Sequence, residues 1–243
     1  MEHKRRRATP KVAEAASARF RVSREDQSLR SMAVASLRKA IFSLHLKPGE
    51  KLTERGLCGL TGVSRSLMRE VLRDLEASGL ISNAPHRSPV VVQLSRDDAR
   101  DIYEVRSALE PMAARLFVER ATDDQVERLG DVAKRCGRAM NDNDVLGLID
   151  ALEGFYNTLF DGAGNRTAAM LARTLHSKES LLRAITFQRQ ADSDTRQSMR
   201  QIEKIAAAIR ARDGEAAAAA CLAQVKRSRT VAMRLLGEPD DDD

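Results

Sequence analysis

Tryptophan is absent from this 243-residue chain, and two tyrosines and six phenylalanines are its whole aromatic supply. So few aromatics argue against an all-β fold, whose strands draw on aromatic and β-branched side chains. Cysteine is scarce too. Cys58, Cys136 and Cys221 are odd in number and widely spaced, which excludes a disulfide framework and a C-x-x-C zinc site. They read as small apolar residues of a protein kept in a reducing compartment. No apolar run approaches the roughly 18 residues of a membrane span. The opening "MEHKRRRATP" has no apolar stretch behind its charges, so it is not a secretory leader. These absences point to a soluble, cytoplasmic chain.

What is plentiful is Ala, Leu and Arg, which favour helix. Charge is unevenly spread. Residues 1–95 carry 18 Lys+Arg against 9 Asp+Glu, whereas residues 96–243 carry 23 against 26. An N-terminal part that meets a polyanion and a C-terminal part that does not would account for this asymmetry.

Along the chain, residues 1–28 are polar, Arg-rich and weakly patterned, and are expected to form a flexible basic arm. "MAVASLRKAIFSLHL" sets Val34, Leu37, Ile41 and Leu44 at helical steps of three or four. Pro48 and Gly49 break that helix. A short second helix follows, with Thr53 as N-cap and Gly62 as its stop. Ser64 caps a third, whose apolar face is Leu67, Met68, Val71, Leu72 and Leu75 and which Gly79 ends. "LISN" and "VVVQL", joined by "APHRSP", form a hairpin. Three helices and a hairpin over residues 29–95 make a winged helix-turn-helix. Residues 96–236 read as helical throughout, opening at Ser95 with Ile102, Val105, Leu109 and Leu116 facing inward and a kink at Pro111. Further helices are expected at about 123–142, 144–161, 166–189, 195–212 and 214–236, one antiparallel bundle. The predicted fold class is therefore mainly α, a winged helix-turn-helix followed by an all-helical bundle, with an acidic tail at 237–243.

The third helix carries Arg65, Arg69 and Arg73 four residues apart, hence on one side of the helix. In a helix-turn-helix the second helix enters the major groove with its N-terminal residues nearest the bases. Arg65, Ser66 and Arg69 hold those positions, and arginine's planar fork can grip guanine or phosphate. The helix start at Ser64 offers backbone N–H groups to a phosphate. Arg55 on the preceding helix and His86 with Arg87 at the hairpin tip extend the surface. A solvated charged face is the alternative for any one of these residues, and for Arg73 the two readings stay open. Taken together they favour double-stranded DNA.

The stretch "LHLKPGEKLTERGLCGLTGVSRSLMREVLRDLEASGLI" resembles the winged-helix domain of GntR-type bacterial transcription regulators. "DIYEVRSALEPMAARL", "FYNTLFDGAGN" and "IAAAIRARDGEAAAAA" resemble the FadR-like subgroup with its FCD ligand-binding domain. The resemblance implies a homodimer that binds a palindromic operator, a repressor in the first instance, controlled by a small effector held in the bundle. It also implies DNA contact by Arg55, Arg65, Arg69 and the His86–Arg87 wing. Many FCD domains hold a divalent metal with an Asp and three His. Laid on that pattern, this chain has Leu152, Tyr156, Ile202 and Gln224, and Asp150 falls on the wrong face, so no metal and no other cofactor is expected. The resemblance turns Arg106 inward, to meet either an effector carboxylate or an internal acid. Tyr156, Gln224 and Arg183 complete the candidate effector set, and an apolar pocket for a less polar molecule is the alternative. His176 is the bundle's lone histidine and reads as structural.

Two other function classes compete. A helical-bundle enzyme with a DNA-binding appendage needs paired carboxylates with His or Cys, or a metal cage, and those positions are vacated. A winged helix used for protein interaction leaves the basic surplus unexplained. The chain is therefore expected not to be an enzyme.

Overall fold

The computed structural model describes residues 24–82, 88–187 and 192–237, which hold nine helices and one two-stranded sheet. The first helix, α1 (Arg24–Phe42), begins inside the stretch expected to be a flexible arm. It buries Ala33, Leu37 and Ile41, one residue per turn. Helix α2 (Glu54–Thr61) starts where the Thr53 side chain accepts a hydrogen bond from the Gly56 N–H, and stops at Gly62. Gly62 has φ 74° and returns its N–H to the Cys58 carbonyl. Only glycine takes that left-handed angle without strain, and the tight turn to the next helix depends on it.

Helix α3 (Arg65–Ala77) is capped by Ser64 and buries Met68, Val71, Leu72 and Leu75. Removing one such side chain, as in Leu75→Ala, costs about 2–5 kcal/mol. On the solvent side Arg30 of α1 clamps α3. Its guanidinium grips both oxygens of Asp74 at 2.7 and 2.5 Å and reaches Glu70 at 2.9 Å. Strands β1 (Ile81–Ser82) and β2 (Val90–Val91) pair antiparallel, Ile81 opposite Val91 and Ser82 opposite Val90. The strands are shorter than the apolar runs suggest, and the segment before α2 adds to the ladder. Lys51 bridges Val90, Leu52 donates to the Pro89 carbonyl at 2.7 Å, and Gly49 donates to that of Val91 at 2.9 Å.

Helix α4 (Arg96–Arg120) opens on a capping box between Ser95 and Asp98 and runs unbroken through Pro111. After it come α5 (Asp123–Asn141), α6 (Val145–Gly162), α7 (Arg166–Thr186), α8 (Asp192–Arg210) and α9 (Gly214–Leu235). All five lie within a few residues of the positions read from periodicity. Helix α4 packs mainly along α9, and α5 lies against α6 and α8. Phe117, Leu129, Leu148, Phe155, Leu159, Ile202 and Ile205 fill the bundle centre. A side chain at Gly162 would sit 2.3 Å from the Phe117 ring, so α6 can end against α4 only because that residue is glycine.

One expectation fails on α4. Val105 is 46% exposed, and Leu109 and Leu116 are only partly buried. The inward stripe is Ile102, Tyr103, Arg106, Glu110, Ala113 and Phe117. Two of its members are charged, so a search for apolar periodicity picks the neighbouring stripe.

The winged helix does not stand apart from the bundle. Its core of Leu37, Ile41, Leu75 and Leu80 is continuous with Ile102, Ile149, Leu181, Leu182 and Val225 of the helical part. Arg38 of α1 pairs with Glu153 of α6, and it donates to Ser177 of α7 at 3.3 Å. No described helix is long and apolar enough to cross a membrane.

Candidate nucleic-acid interface and effector site

The outward side of α3 presents Arg65, Ser66, Arg69 and Arg73, all exposed, with Ser64 exposed at its start and Arg55 exposed on α2. The burial of Met68, Val71, Leu72 and Leu75 fixes which way these arginines face, since the two sets alternate around one helix. Arg69 is not free. Its Nε donates to Glu54 at the start of α2 at 2.8 Å, although its side chain remains 61% exposed. That hydrogen bond holds the Glu54 carboxyl below its usual range. His86 and Arg87, the expected wing tip, lie outside the described residues, as do the "HKRRR" arm and the acidic tail.

The second site is buried between α4, α6 and α7. Arg106 is 1% exposed, and its Nε donates to Glu110 one turn along the same helix at 2.5 Å. Nη1 lies 3.5 Å from Glu179, and Nη2 donates to the Tyr156 hydroxyl at 3.3 Å. Arg183 also donates to Glu179, and His176 Nε2 lies 3.3 Å from Glu110. The Tyr156 ring lies over that of His176 with centroids 4.4 Å apart. Burial alone would raise the carboxyl groups of Glu110 and Glu179. The charges of Arg106, for Glu110, and of Arg183 and Arg106, for Glu179, outweigh it and hold both below the usual range. Burial likewise opposes the charge on Arg106, and the Glu110 and Glu179 carboxylates outweigh it. A buried ion cluster persists only when its charges match, and here two arginines meet two glutamates.

Comparison with known proteins bears on both sites. Residues 29–91 match the bacterial regulatory proteins of the gntR family, and residues 101–227 match the FCD domain. The chain belongs to the FCD-bearing gntR-family regulators. Relatives carry the corresponding names. An uncharacterized HTH-type transcriptional regulator, YdhC, of Bacillus subtilis is 31% identical over 134 residues, 54% of this chain and 58% of that protein. The Nta operon transcriptional regulator of Aminobacter aminovorans is 35% identical over 89 residues, 37% of this chain and 42% of that protein. The chain thus spans about half the length of these curated relatives. The solved structure of E. coli McbR/YncC superposes with a TM-score of 0.73 at 21% identity. It covers 88% of this chain and 98% of that one, a likeness of fold.

Within the FCD domain, the four residues laid on the family's metal positions do not suit a divalent cation. Leu152 and Ile202 offer no donor. Burial keeps the Tyr156 phenol protonated, and its oxygen accepts from Arg106. Gln224 donates to Ser198 at 3.0 Å and to Ser228 at 3.3 Å. A metal here would also face the fixed positive charge of Arg106. Asp150 is exposed and pairs with Arg135 at 2.8 Å. Among the described residues no group of three His, Cys, Asp or Glu could hold a metal ion.

Of the expected effector residues, Arg106 and Tyr156 touch, and Arg183 joins them through Glu179. Gln224 stands apart, against Ser198 and Ser228. Arg106 meets two internal acids, Glu110 and Glu179. Glu110, Glu179 and His176 are members that the sequence reading missed or left out of the site. A signal was available, because Arg106 with Glu110 and Glu179 with Arg183 are opposite charges at i, i+4 on inward-facing turns. Cys136 and Cys221 are buried as expected, and burial pushes the Cys136 thiol up to about 11.

Proposed function

We propose that this protein is a cytoplasmic, DNA-binding transcription regulator, a repressor in its simplest form, whose operator affinity is set by a small organic acid bound in a metal-free helical domain. The observation that carries the reading is the exposed arginine row of α3 at a capped helix start, backed by a buried apolar face. In this reading residues 29–95 dock on DNA and residues 96–236 sense the effector and dimerise. Helix α3 enters the major groove, where Arg65, Ser66 and Arg69 meet base edges or phosphate. The N–H groups behind Ser64 hold a phosphate, Arg55 and Arg73 contact the backbone, and the His86–Arg87 tip reaches the flanking groove. Arg69 exchanges part of its contact with Glu54 for the polyanion. Two copies related by a two-fold axis read a palindromic operator.

A mobility-shift assay on the DNA upstream of the protein's own reading frame, repeated at rising salt, tests this. Binding should weaken log-linearly with salt as phosphate contacts release counterions. Indifference to every DNA fragment at low salt, with and without organic acids, overturns it.

A further inference from the structure

Glu54 is an unexpected residue on a surface that meets a polyanion. It opens α2, where the Thr53 side chain caps the helix, and its carboxylate lies among the arginines of α3. Arg69 Nε donates to it at 2.8 Å. That hydrogen bond holds the Glu54 carboxyl low, and the charge of Arg65 adds to the effect through space. Two acids of α3 itself are treated differently. Glu70 and Asp74 are both gripped by Arg30 of α1, so they subtract little from the arginine row. Among the described residues, Arg69 is the one cation that pairs with Glu54.

A negative charge at this point weakens attraction to any phosphate, because non-specific binding scales with the phosphates that are neutralised. What the carboxylate supplies is geometry. The guanidinium group is planar, so an acceptor fixed on Nε sets both its plane and its direction. The two terminal nitrogens of Arg69 make no hydrogen bond to a described residue, and its side chain stays 61% exposed. Held this way, the fork meets guanine O6 and N7 with its terminal nitrogens, and its charge is then shared between the base and Glu54. Less side-chain freedom is lost on docking than for an arginine that swings freely. A phosphate can be met from many directions and needs no preset fork, so there the Glu54 charge is felt without compensation.

We infer that Glu54 is a specificity-determining residue of the DNA-binding surface, presetting Arg69 for a guanine edge and weakening the grip of the arginine row on arbitrary duplex. It acts through Arg69 and is a positioning residue. The inference rests on the regulator reading proposed above and adds how that surface tells one sequence from another.

Fluorescence anisotropy with the full-length protein tests it on two duplexes. One is the duplex that the parent protein enriches most from a randomised pool at low salt, and the other is the same duplex with its bases shuffled. Glu54→Gln removes the charge and keeps an amide oxygen for Arg69 Nε. It should bind the shuffled duplex about three- to tenfold more tightly, with a salt slope steeper by about one phosphate contact. On the enriched duplex that gain is offset by a looser fork, since a neutral acceptor holds the guanidinium about half as strongly. The ratio of the two affinities should therefore fall about threefold or more, while the melting temperature stays with the parent's. Glu54→Ala, which also removes the acceptor, should lower the ratio further. With Arg69→Ala already present, Glu54→Gln should leave the ratio unchanged to within about twofold.

A ratio unchanged or raised by Glu54→Gln would overturn the inference. So would the same fall in ratio in the Arg69→Ala background, or an equal loss of affinity for both duplexes. Parent protein that discriminates between the duplexes, with Glu54→Gln discriminating equally well, defeats the role of Glu54 alone. Parent protein that enriches no duplex defeats the regulator reading and the inference with it.

Discussion

Arginine is used in two opposite ways in this molecule. On α3 the guanidinium groups of Arg65, Arg69 and Arg73 are exposed, and the one acid among the described residues that pairs with them, Glu54, is itself partly exposed. In the bundle, Arg106 and Arg183 are sealed in and matched by Glu110 and Glu179. A solvated arginine keeps its hydration until something better arrives, so it can be traded to a phosphate at little cost. A buried one has no hydration to fall back on, and its partner is a condition of folding. Surface arginines are thus available for recognition, whereas the interior pair is a fixed framework.

The largest effect that would break this contrast belongs to the interior. Glu110→Ala leaves Arg106 without its closest partner and should destabilise the fold by about 3–5 kcal/mol in urea unfolding. Replacing both members, Arg106→Met with Glu110→Ala, should cost less than the single change. If the single variant unfolds like the parent, the interior cluster is not a framework.

Acid should expose the same difference. Glu110 and Glu179 have folded-state pKa values below 4.5. Their contribution is therefore complete above about 4.5 and is lost as pH falls through the folded values. Equilibrium unfolding should show stability dropping steeply below pH 4.5, and less steeply in the double variant. On α3 the change is in binding. Arg69→Ala should weaken DNA about ten- to a hundred-fold by mobility shift while the melting curve stays put. Arg73→Ala should have a smaller effect and lower the salt slope by about one phosphate contact. At the bottom of the scale, Arg115→Gln removes the exposed pair with Glu215 and should leave the melting temperature where it was.

Much of the architecture was legible because local signals agree with one another. Thr53, Ser64 and Ser95 all cap the helices they were expected to start. On α4 the apolar pattern alone misled, since it does not register Glu110 as inward, and Arg106 was read as inward only through the family resemblance. Nor could the sequence place Arg227, Ser198 and Ser228 beside Arg183. With Arg183 they span three helices, α7, α8 and α9, and only tertiary packing sets them around one cavity. The exposed arginine row of α3 was readable for the converse reason: one helix carries it, and the burial of Met68 and Leu72 opposite is enough to orient it.

The apolar cluster that Leu37 and Leu80 share with Leu181, Leu182 and Val225 has a mechanical consequence. Neither half can be peeled from the other without wetting side chains of both. Scanning calorimetry should accordingly give one endotherm for the whole chain. A displacement in the bundle would reach α3 as a tilt of a single solid body, with no slack tether in between to absorb it.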